Sequence, residues 1–290
     1  MKRFRTAKVT TAPDSAAPES AAADNPLWVP PGHFYSPLTG SADVARALAE
    51  RPAAHPRTTD PSQFALAEQL APMWAELPRG ARWHDGWEND QFGLCDTAVL
   101  SSMLRWLAPA RYVEVGSGWS TAALLDTCDA FGLTPDITCV EPFPKLVNSL
   151  LTPTDRVRVK LRREPVQDTP AEVFAALESG DVLFLDSTHV LKAGGDVEHL
   201  LFRVLPLVRP GVVVQIHDIF WPFQYPEDWL VARRDWNELY AVHALLSGGD
   251  TWEVLLFSDW VLSERQDLVA RFLPEGLGYR PGSLWLRRAG

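Results

Sequence analysis

Between residues 111 and 286, short runs rich in β-branched residues alternate with stretches whose apolar residues recur at helical spacing. This alternation is typical of a doubly wound α/β sheet, because parallel neighbouring strands need crossover helices that cover both faces. The clearest of these helices spans residues 196–205 and ends before Pro206. The predicted sheet is mostly parallel and has seven strands, at residues 112–115, 137–140, 157–161, 182–185, 212–216, 252–257 and 283–286.

The chain ahead of this sheet differs from it in composition. Residues 1–24 are dominated by Ala, Pro, Ser, Thr and Asp, and we expect a disordered tail because so few large apolar residues cannot offset the entropy of ordering. Residues 25–93 are rich in Pro and aromatic residues, with a helical pattern near residues 61–74, and are predicted to form an N-terminal cap segment. Residues 94–290 are the main predicted domain, which opens with a helix capped by Asp96.

Composition excludes several classes of protein. With 46% hydrophobic and 22% charged residues among 290, the chain is close to the globular average. No apolar run approaches the roughly 20 residues of a membrane-spanning helix, and the basic start is not followed by an apolar stretch, so we expect a cytoplasmic protein. Cys95, Cys128 and Cys139 match no metal-binding spacing and are expected to fill the core.

The charge balance bears on the partner. The sequence has 27 basic and 37 acidic side chains, a formal charge of -10, which disfavours nucleic acid and favours a small molecule. Residues 156–162 alternate cations with aliphatic residues, a pattern that fits a guarded edge strand better than a nucleic-acid stripe. A homo-oligomer stays open.

The stretch Tyr-Val-Glu-Val-Gly-Ser-Gly-Trp-Ser-Thr at residues 112–121 reads as a buried strand, a glycine turn and the start of a helix. Such a turn brings backbone N–H groups and a helix N-terminus close to a ligand. The next strand ends at Glu141, 23 residues after Gly118, near the interval at which an acid meets ribose hydroxyls in nucleotide-binding sheets. Together these features favour an adenosine-type cofactor over a purely structural turn. The predicted cofactor residues here are Glu114, Gly116, Ser117, Gly118, Ser120, Thr121 and Glu141.

Polar side chains also follow the fourth and fifth strands. Asp186 and His189 follow the fourth strand, and His217 and Asp218 the fifth. Because the ends of parallel strands face one crevice, we expect these groups to converge. Asp186, His217 and Asp218 suit a divalent cation, and carboxylates favour Mg²⁺ whereas imidazole favours Mn²⁺, iron or zinc. Alternatively, the two acids cap helices or contact the cofactor, and His217 satisfies buried backbone.

The Glu-Val-Gly-Ser-Gly sequence resembles motif I of the class I S-adenosylmethionine-dependent methyltransferases, and the resemblance extends from about residue 94 to the C-terminus. It implies a Rossmann-like fold in which Glu114 lies near the methionine portion of the cofactor and Glu141 holds the ribose. It also implies that the loop at Val166, Gln167 and Asp168 approaches the adenine. Thr121 stands where a dinucleotide fingerprint has its third glycine, which disfavours nicotinamide.

The second cluster resembles that of the metal-assisted O-methyltransferases of the catechol and macrolide-sugar types. In these families an acid after strand four and a polar pair after strand five bind the cation. The resemblance therefore implies that Asp186 is a metal ligand, contacts the cofactor and takes part in catalysis. A histidine placed like His189 is the base in the sugar branch, and Lys192 is a second candidate. His217 departs from the pattern, because an acid is usual there.

Three further segments are candidates for covering the site. Residues 31–37, with His33 and Tyr35, resemble a segment of bacterial relatives that folds back toward the active site, although a turn role is also open. Residues 89–92 precede the first helix of the main domain and could cover the cofactor, and the aromatic loop 220–229 suits a sugar, phenol or natural-product acceptor.

Taken together, the sequence predicts S-adenosylmethionine-dependent O-methylation of a small molecule, with His189 as the general base and help from a divalent cation. The alternatives are a nicotinamide-dependent oxidoreductase and a non-catalytic module that binds a cofactor or a glycan.

Overall fold

A computed structural model describes residues 28–50, 52–53, 56–78, 82–83, 89 and 91–290. The predicted tail at residues 1–24 lies outside these ranges. Within them, no helix combines the length and the apolar character that crossing a membrane requires.

The centre of the molecule is one seven-stranded sheet with the order β3-β2-β1-β4-β5-β7-β6. The first five strands are parallel, and β7 runs antiparallel between β5 and β6. This confirms the predicted Rossmann-like, mostly parallel sheet. Its strands are Arg111–Val115 (β1), Asp136–Val140 (β2), Val159–Arg162 (β3), Val182–Leu185 (β4), Val213–Ile216 (β5), Trp252–Phe257 (β6) and Leu284–Arg288 (β7).

Helices surround the sheet, and α2 packs on α3, α12 and β6, so the predicted cap segment shares the core of the main domain. The helices are Ser41–Ala49 (α1), Ser62–Trp74 (α2), Leu94–Leu107 (α3), Trp119–Phe131 (α4), Lys145–Leu150 (α5), Asp155–Arg158 (α6), Glu172–Ala175 (α7), Asp196–His199 (α8), Glu227–Val231 (α9), Glu238–Ser247 (α10), Ser258–Glu264 (α11) and Gln266–Phe272 (α12). The three cysteines are free and buried, as predicted.

Three local predictions were wrong in detail. The third strand begins at Val159 rather than residue 157, because residues 155–158 form the helical turn α6, where Val157 is exposed. The helix predicted at residues 196–205 is α8 followed by a π-helical stretch, Leu200–Val204. Asp96 is not a cap, because α3 begins at Leu94 after Gly93 and Asp96 lies inside its first turn.

The cations of the alternating run have acidic partners. β3 is an edge strand, as expected, and Arg158, Lys160 and Arg162 pair with Asp129, Asp136 and Glu164. The charges on this edge are therefore largely balanced by neighbouring acids.

The candidate site lies where the strand order of the sheet reverses, between β1 and β4. The chain leaves β1 toward β2 and β3 on one side and returns through β4 toward β5 on the other, so β1 and β4 are neighbours. Val115, the last residue of β1, pairs with Val140 of β2 and Leu185 of β4. Ligands of open α/β sheets bind at the carboxyl ends of the strands at such a switch point.

Candidate active site

The turn after β1 requires glycine at residue 116. Gly116 has φ +83°, and its N–H donates to the carbonyl of Val140. A Cβ atom added there would lie 1.7 Å from the carbonyl oxygen of Asp186. The absence of a side chain therefore lets the β1 turn lie directly against the end of β4, which carries the first acid of the second cluster.

Gly118 is the N-cap of α4, and its N–H donates to Oγ1 of Thr121. An added Cβ would meet Cδ2 of Leu146 at 2.9 Å, the far end of a flexible side chain. This second glycine is therefore less strictly required by the protein's own packing than Gly116.

Glu114 of β1 is hydrogen-bonded to the start of α4. Its carboxyl group is fully buried and accepts hydrogen bonds from the hydroxyls of Ser120, at 2.6 Å, and Thr121, at 2.5 Å. Burial raises the pKa of Glu114 to about 7 against the opposing effect of these hydroxyls. The polar groups of Glu114, Ser120 and Thr121 thus face inward and hold the strand to the helix, and the role of these residues in cofactor binding stays a prediction.

Glu141 links the turn that follows β1 to the turn that follows β2. Its Oε2 accepts from the backbone N–H of Ser117 at 3.0 Å, and its Oε1 accepts from Phe143 at 2.7 Å. Each carboxylate oxygen has a second lone pair, and the side chain is only half-buried, so it keeps the capacity to accept from a ligand hydroxyl. Ser117 and Gly116 are half-buried beside it.

Asp186, His217 and Asp218 meet at the ends of β4 and β5, with ligand atoms all within 4.8 Å of one another. Nδ1 of His217 is 3.4 Å from Oδ1 of Asp186 and 3.7 Å from Oδ1 of Asp218. His189 joins them, with Nε2 3.3 Å from Asp186 Oδ1 and 3.5 Å from Asp218 Oδ2. We call these four residues the polar corner. The predicted convergence is thus present, whereas the roles of the residues stay predictions.

His217 is buried in the corner, and neither of its ring nitrogens has a hydrogen-bond partner among the described residues. On its far side, Nε2 is 3.7 Å from Oδ1 of Asp96, which itself accepts from the N–H of Gly282 and the hydroxyl of Ser283. The ring of Phe92 covers it at 5.2 Å between centroids. Because buried ring nitrogens are normally satisfied, this histidine is suited to a ligand or an ion.

His189 is held by the start of α10. Its Nδ1 lies 2.9 Å from Oε2 of the buried Glu238, and its ring lies 4.4 Å from that of Trp236. Its carbonyl oxygen accepts from the N–H groups of Asn237 and Glu238. The backbone is left-handed at His189, φ +59°, and at Asp218, φ +56°. Non-glycine residues held in this region commonly mark functional sites.

The charged groups of the polar corner shift one another's pKa values. Burial lowers the pKa of His217, but the charges of Asp218 and Asp186 outweigh burial and hold it well above the usual range. Burial likewise opposes protonation of His189, but hydrogen bonds to Asp186 and Glu238 raise its pKa to about 10. Burial raises the pKa of Asp218, whereas the imidazoles, His217 foremost, outweigh burial at Asp186 and lower its pKa.

The carboxylates of the polar corner thus favour the protonated form of both imidazoles. For His189 to accept a proton, another positive charge must offset Asp186 and Asp218.

Other predicted site residues lie farther out. Gln167 is exposed in a 3₁₀ turn and donates to the carbonyl of Gly194, and Asp168 beside it is exposed. Lys192 is exposed, and Tyr35 is largely exposed in the N-terminal segment. Of the segment at residues 89–92, Phe92 reaches the polar corner through His217, and Asp90 lies outside the described residues.

The aromatic loop is more deeply packed than expected. Phe220, Phe223 and Tyr225 are buried, and Phe223 stacks on His243 with ring centroids 4.2 Å apart. Trp229 is only partly buried. The polar residues of the loop suggested that it is exposed, but most of its aromatic rings face the protein interior.

Sequence reasoning missed Asp96, Glu238 and Trp236 as neighbours of the polar corner. An acid in the first turn of a helix usually signals capping or a dipole interaction. Nothing local distinguishes Asp96 or Glu238 from that ordinary case, because their contacts are made across the fold.

A family model described as a methyltransferase domain matches residues 113–219, which contain the glycine turn and the whole polar corner. No curated protein matches the chain.

Among solved structures, the chain is similar to the SAH-bound methyltransferase PaMTH1 of Podospora anserina, with 18% identity over 78% of this chain and 96% of that chain and a TM-score of 0.48. It is also similar to the O-methyltransferase TomG from Streptomyces achromogenes, involved in tomaymycin synthesis and solved with SAM, with 14% identity, coverage of 79% and 96%, and a TM-score of 0.44. Over residues 113–219 the chain therefore matches a methyltransferase domain.

Proposed function

We propose that this enzyme methylates a hydroxyl oxygen of a small molecule at the polar corner formed by Asp186, His189, His217 and Asp218. The observation that carries the proposal is the convergence of these four side chains directly beside the Gly116 turn, whose backbone touches Asp186. A donor bound at the turn would thus lie next to groups suited to deprotonate and orient a hydroxyl.

The turn fits an adenosyl sulfonium as methyl donor. Gly116 leaves the backbone bare, and Glu141 presents a half-buried carboxylate whose remaining lone pairs suit the two ribose hydroxyls. The N–H of Ser117 is already bonded to Glu141, so we assign Ser117 and Gly118 to the shape of the turn.

The polar corner fits a divalent cation. His217 supplies a buried nitrogen without a partner, and Asp186 and Asp218 supply carboxylate oxygens on the same side. A cation held there would act as a Lewis acid that lowers the pKa of a coordinated hydroxyl. The single imidazole among oxygen donors is compatible with Mg²⁺ and favours Mn²⁺.

His189 is the proposed general base. When Nδ1–H donates to Glu238, Nε2 carries the free lone pair and faces Asp186 and Asp218. In the reaction the acceptor oxygen bonds the methyl carbon while the carbon–sulfur bond breaks. The hydroxyl proton passes to Nε2, and the thioether S-adenosylhomocysteine remains.

Methyl-labelled S-adenosylmethionine, offered with Mn²⁺ and a panel of catechols, hydroxybenzoates and sugars, tests this proposal. We expect label in at least one hydroxyl compound and a 100-fold or greater loss of turnover in His189→Ala, with donor affinity nearly unchanged.

The matched control is His199→Ala, a histidine of α8 outside the polar corner, which should retain turnover. Equal losses of turnover and donor affinity in His189→Ala would remove this residue as the base, and the absence of label from every hydroxyl compound of the panel would refute the proposed O-methylation.

A further inference from the structure

A cavity of about 180 Å³ is lined in part by Trp236, which also packs on His189 of the polar corner. It is enclosed by the end of the N-terminal segment, the aromatic loop and the turn that joins α9 to α10. Its principal lining residues are Thr39, Tyr225, Trp229, Arg233, Arg234 and Trp236. An engineered apolar cavity of about 150 Å³ holds one benzene molecule, so this volume suits a single substituted ring.

The walls of the cavity are aromatic. Trp229 and Trp236 meet nearly at a right angle, 82°, with ring centroids 5.1 Å apart, and Tyr225 stacks on Trp229 at 6.2 Å. Aromatic faces of this kind bind planar rings by stacking and sugar rings through their apolar faces. They do not by themselves distinguish these two ring types.

One wall of the cavity adjoins the proposed base. Trp236 lines the cavity and also lies 4.4 Å from the ring of His189. Asn237, another lining residue, donates its backbone N–H to the carbonyl of His189. Trp236 and Asn237 therefore form a wall that the cavity shares with the surroundings of His189.

Two arginines give the cavity a positive side. The guanidinium of Arg234 lies over Trp229 at 4.1 Å and Trp236 at 5.1 Å, and that of Arg233 donates to the hydroxyl of Ser41. In the part of the chain that the structure describes, neither guanidinium has a carboxylate within 4.0 Å. In a chain with a formal charge of -10, two arginines without acidic partners beside one cavity call for an anion.

The fold fixes this side of the cavity. Asp235 also lines the cavity, and its carboxylate accepts from both the N–H and the hydroxyl of Thr39 in the N-terminal segment. The backbone is left-handed at Arg233, φ +53°, and at Asp235, φ +54°. A turn held in this way directs two arginines to one place at a conformational cost, which is typical of functional sites.

We propose that this cavity is the acceptor site and that the acceptor is a single-ring hydroxyl compound bearing a carboxylate or a phosphate. The ring lies among Trp229, Trp236 and Tyr225, the anion meets Arg233 and Arg234, and the hydroxyl points toward the wall that Trp236 shares with His189. This inference rests on the proposed methyl transfer, but its test does not require turnover.

The test is calorimetric binding to the full chain in the presence of S-adenosylhomocysteine. The probes are 3,4-dihydroxybenzoate against neutral catechol, and glucose 1-phosphate against glucose. We expect one of the two anions to bind at least tenfold more tightly than its neutral partner, and the anion that does so identifies the ring type.

Variants locate the preference. Arg234→Gln should reduce the anion preference at least fivefold, and Arg234→Lys should reduce it less, because lysine keeps the charge but not the planar fork. Trp236→Ala should weaken the charged and neutral ligands alike. The control is Arg209→Gln. This exposed arginine precedes β5, at the opposite end of that strand from the polar corner, and its substitution should leave binding unchanged.

Two results would overturn the inference: equal binding of charged and neutral ligands, or an anion preference that survives Arg234→Gln together with Arg233→Gln. A protein that methylates hydroxyls without the preference would refute only this acceptor class. A protein that keeps the preference but transfers no methyl group would refute only the proposed function.

Discussion

Asp218 sits at the point where β5 ends, in a left-handed conformation, with one oxygen toward His217 and the other toward His189. Removing its charge without changing its shape tests the metal assignment. We expect wild-type protein to bind one Mn²⁺ per chain and Asp218→Asn to bind it at least tenfold more weakly, because a ligand carboxylate is lost.

Electron paramagnetic resonance of Mn²⁺ titrations measures this binding directly. The exposed acid Glu172 provides the control variant, Glu172→Gln, which should bind as the parent does. Failure of the wild-type protein to bind Mn²⁺ or Mg²⁺ would refute the metal site.

Glu114 predicts a pH dependence of stability. Its pKa is raised by burial from 4.5 to about 7, so between these values the folded state holds a proton that the unfolded state releases. The stability contributed by this group therefore decreases as pH rises from 4.5 to 7, by on the order of 3 kcal/mol.

Urea unfolding at pH 5 and pH 8 checks the sign. Glu114→Gln, which cannot ionise, should lose this part of the pH dependence, and Glu172→Gln on α7 should retain it. An identical pH dependence in parent and Glu114→Gln would show that Glu114 does not titrate in this interval.

At the scale of elements, Arg82 ties the N-terminal cap segment to the methyltransferase domain. Its guanidinium forms a bidentate pair with the buried Asp155 of α6 and a 2.7 Å hydrogen bond with the buried Asp126 of α4. Arg82→Ala leaves two buried carboxylates without this partner, so we expect a loss of about 3 kcal/mol in the free energy of unfolding.

Urea denaturation measures that loss. Arg46→Ala removes an arginine that is 73% exposed in its pair with Asp43, and it should cost less than about 1 kcal/mol. Equal effects of the two substitutions would mean that the Arg82 network contributes nothing beyond a surface ion pair.

The positions of helices and strands were predictable where a local sequence pattern determines them. β1, β4 and β6 lie within one residue of their predicted limits, because short runs of mostly apolar residues mark their positions. The start of β3 was misplaced because Val157 fits the strand alternation while the chain around it makes a helical turn. The π-helical stretch after α8 keeps the apolar spacing of a helix and has no local signature.

At the scale of the whole molecule, sequence order predicted which strand ends would meet, and the convergence of Asp186, His189, His217 and Asp218 followed from that rule. The same rule does not predict the contacts that helices make with these strand ends. Asp96 comes from α3 and Glu238 from α10, and each approaches a histidine only because the sheet brings distant segments together. The inward orientation of Glu114 was likewise set by packing rather than by the motif.

The proposed site holds an adenosyl donor between the Gly116 turn and Glu141. A crystal structure of the chain grown with S-adenosylhomocysteine tests it most directly. We predict one molecule per chain, with both ribose hydroxyls within hydrogen-bond distance of Glu141 and the sulfur facing Asp186. Binding elsewhere, or an empty crevice at saturating ligand, would contradict the assignment.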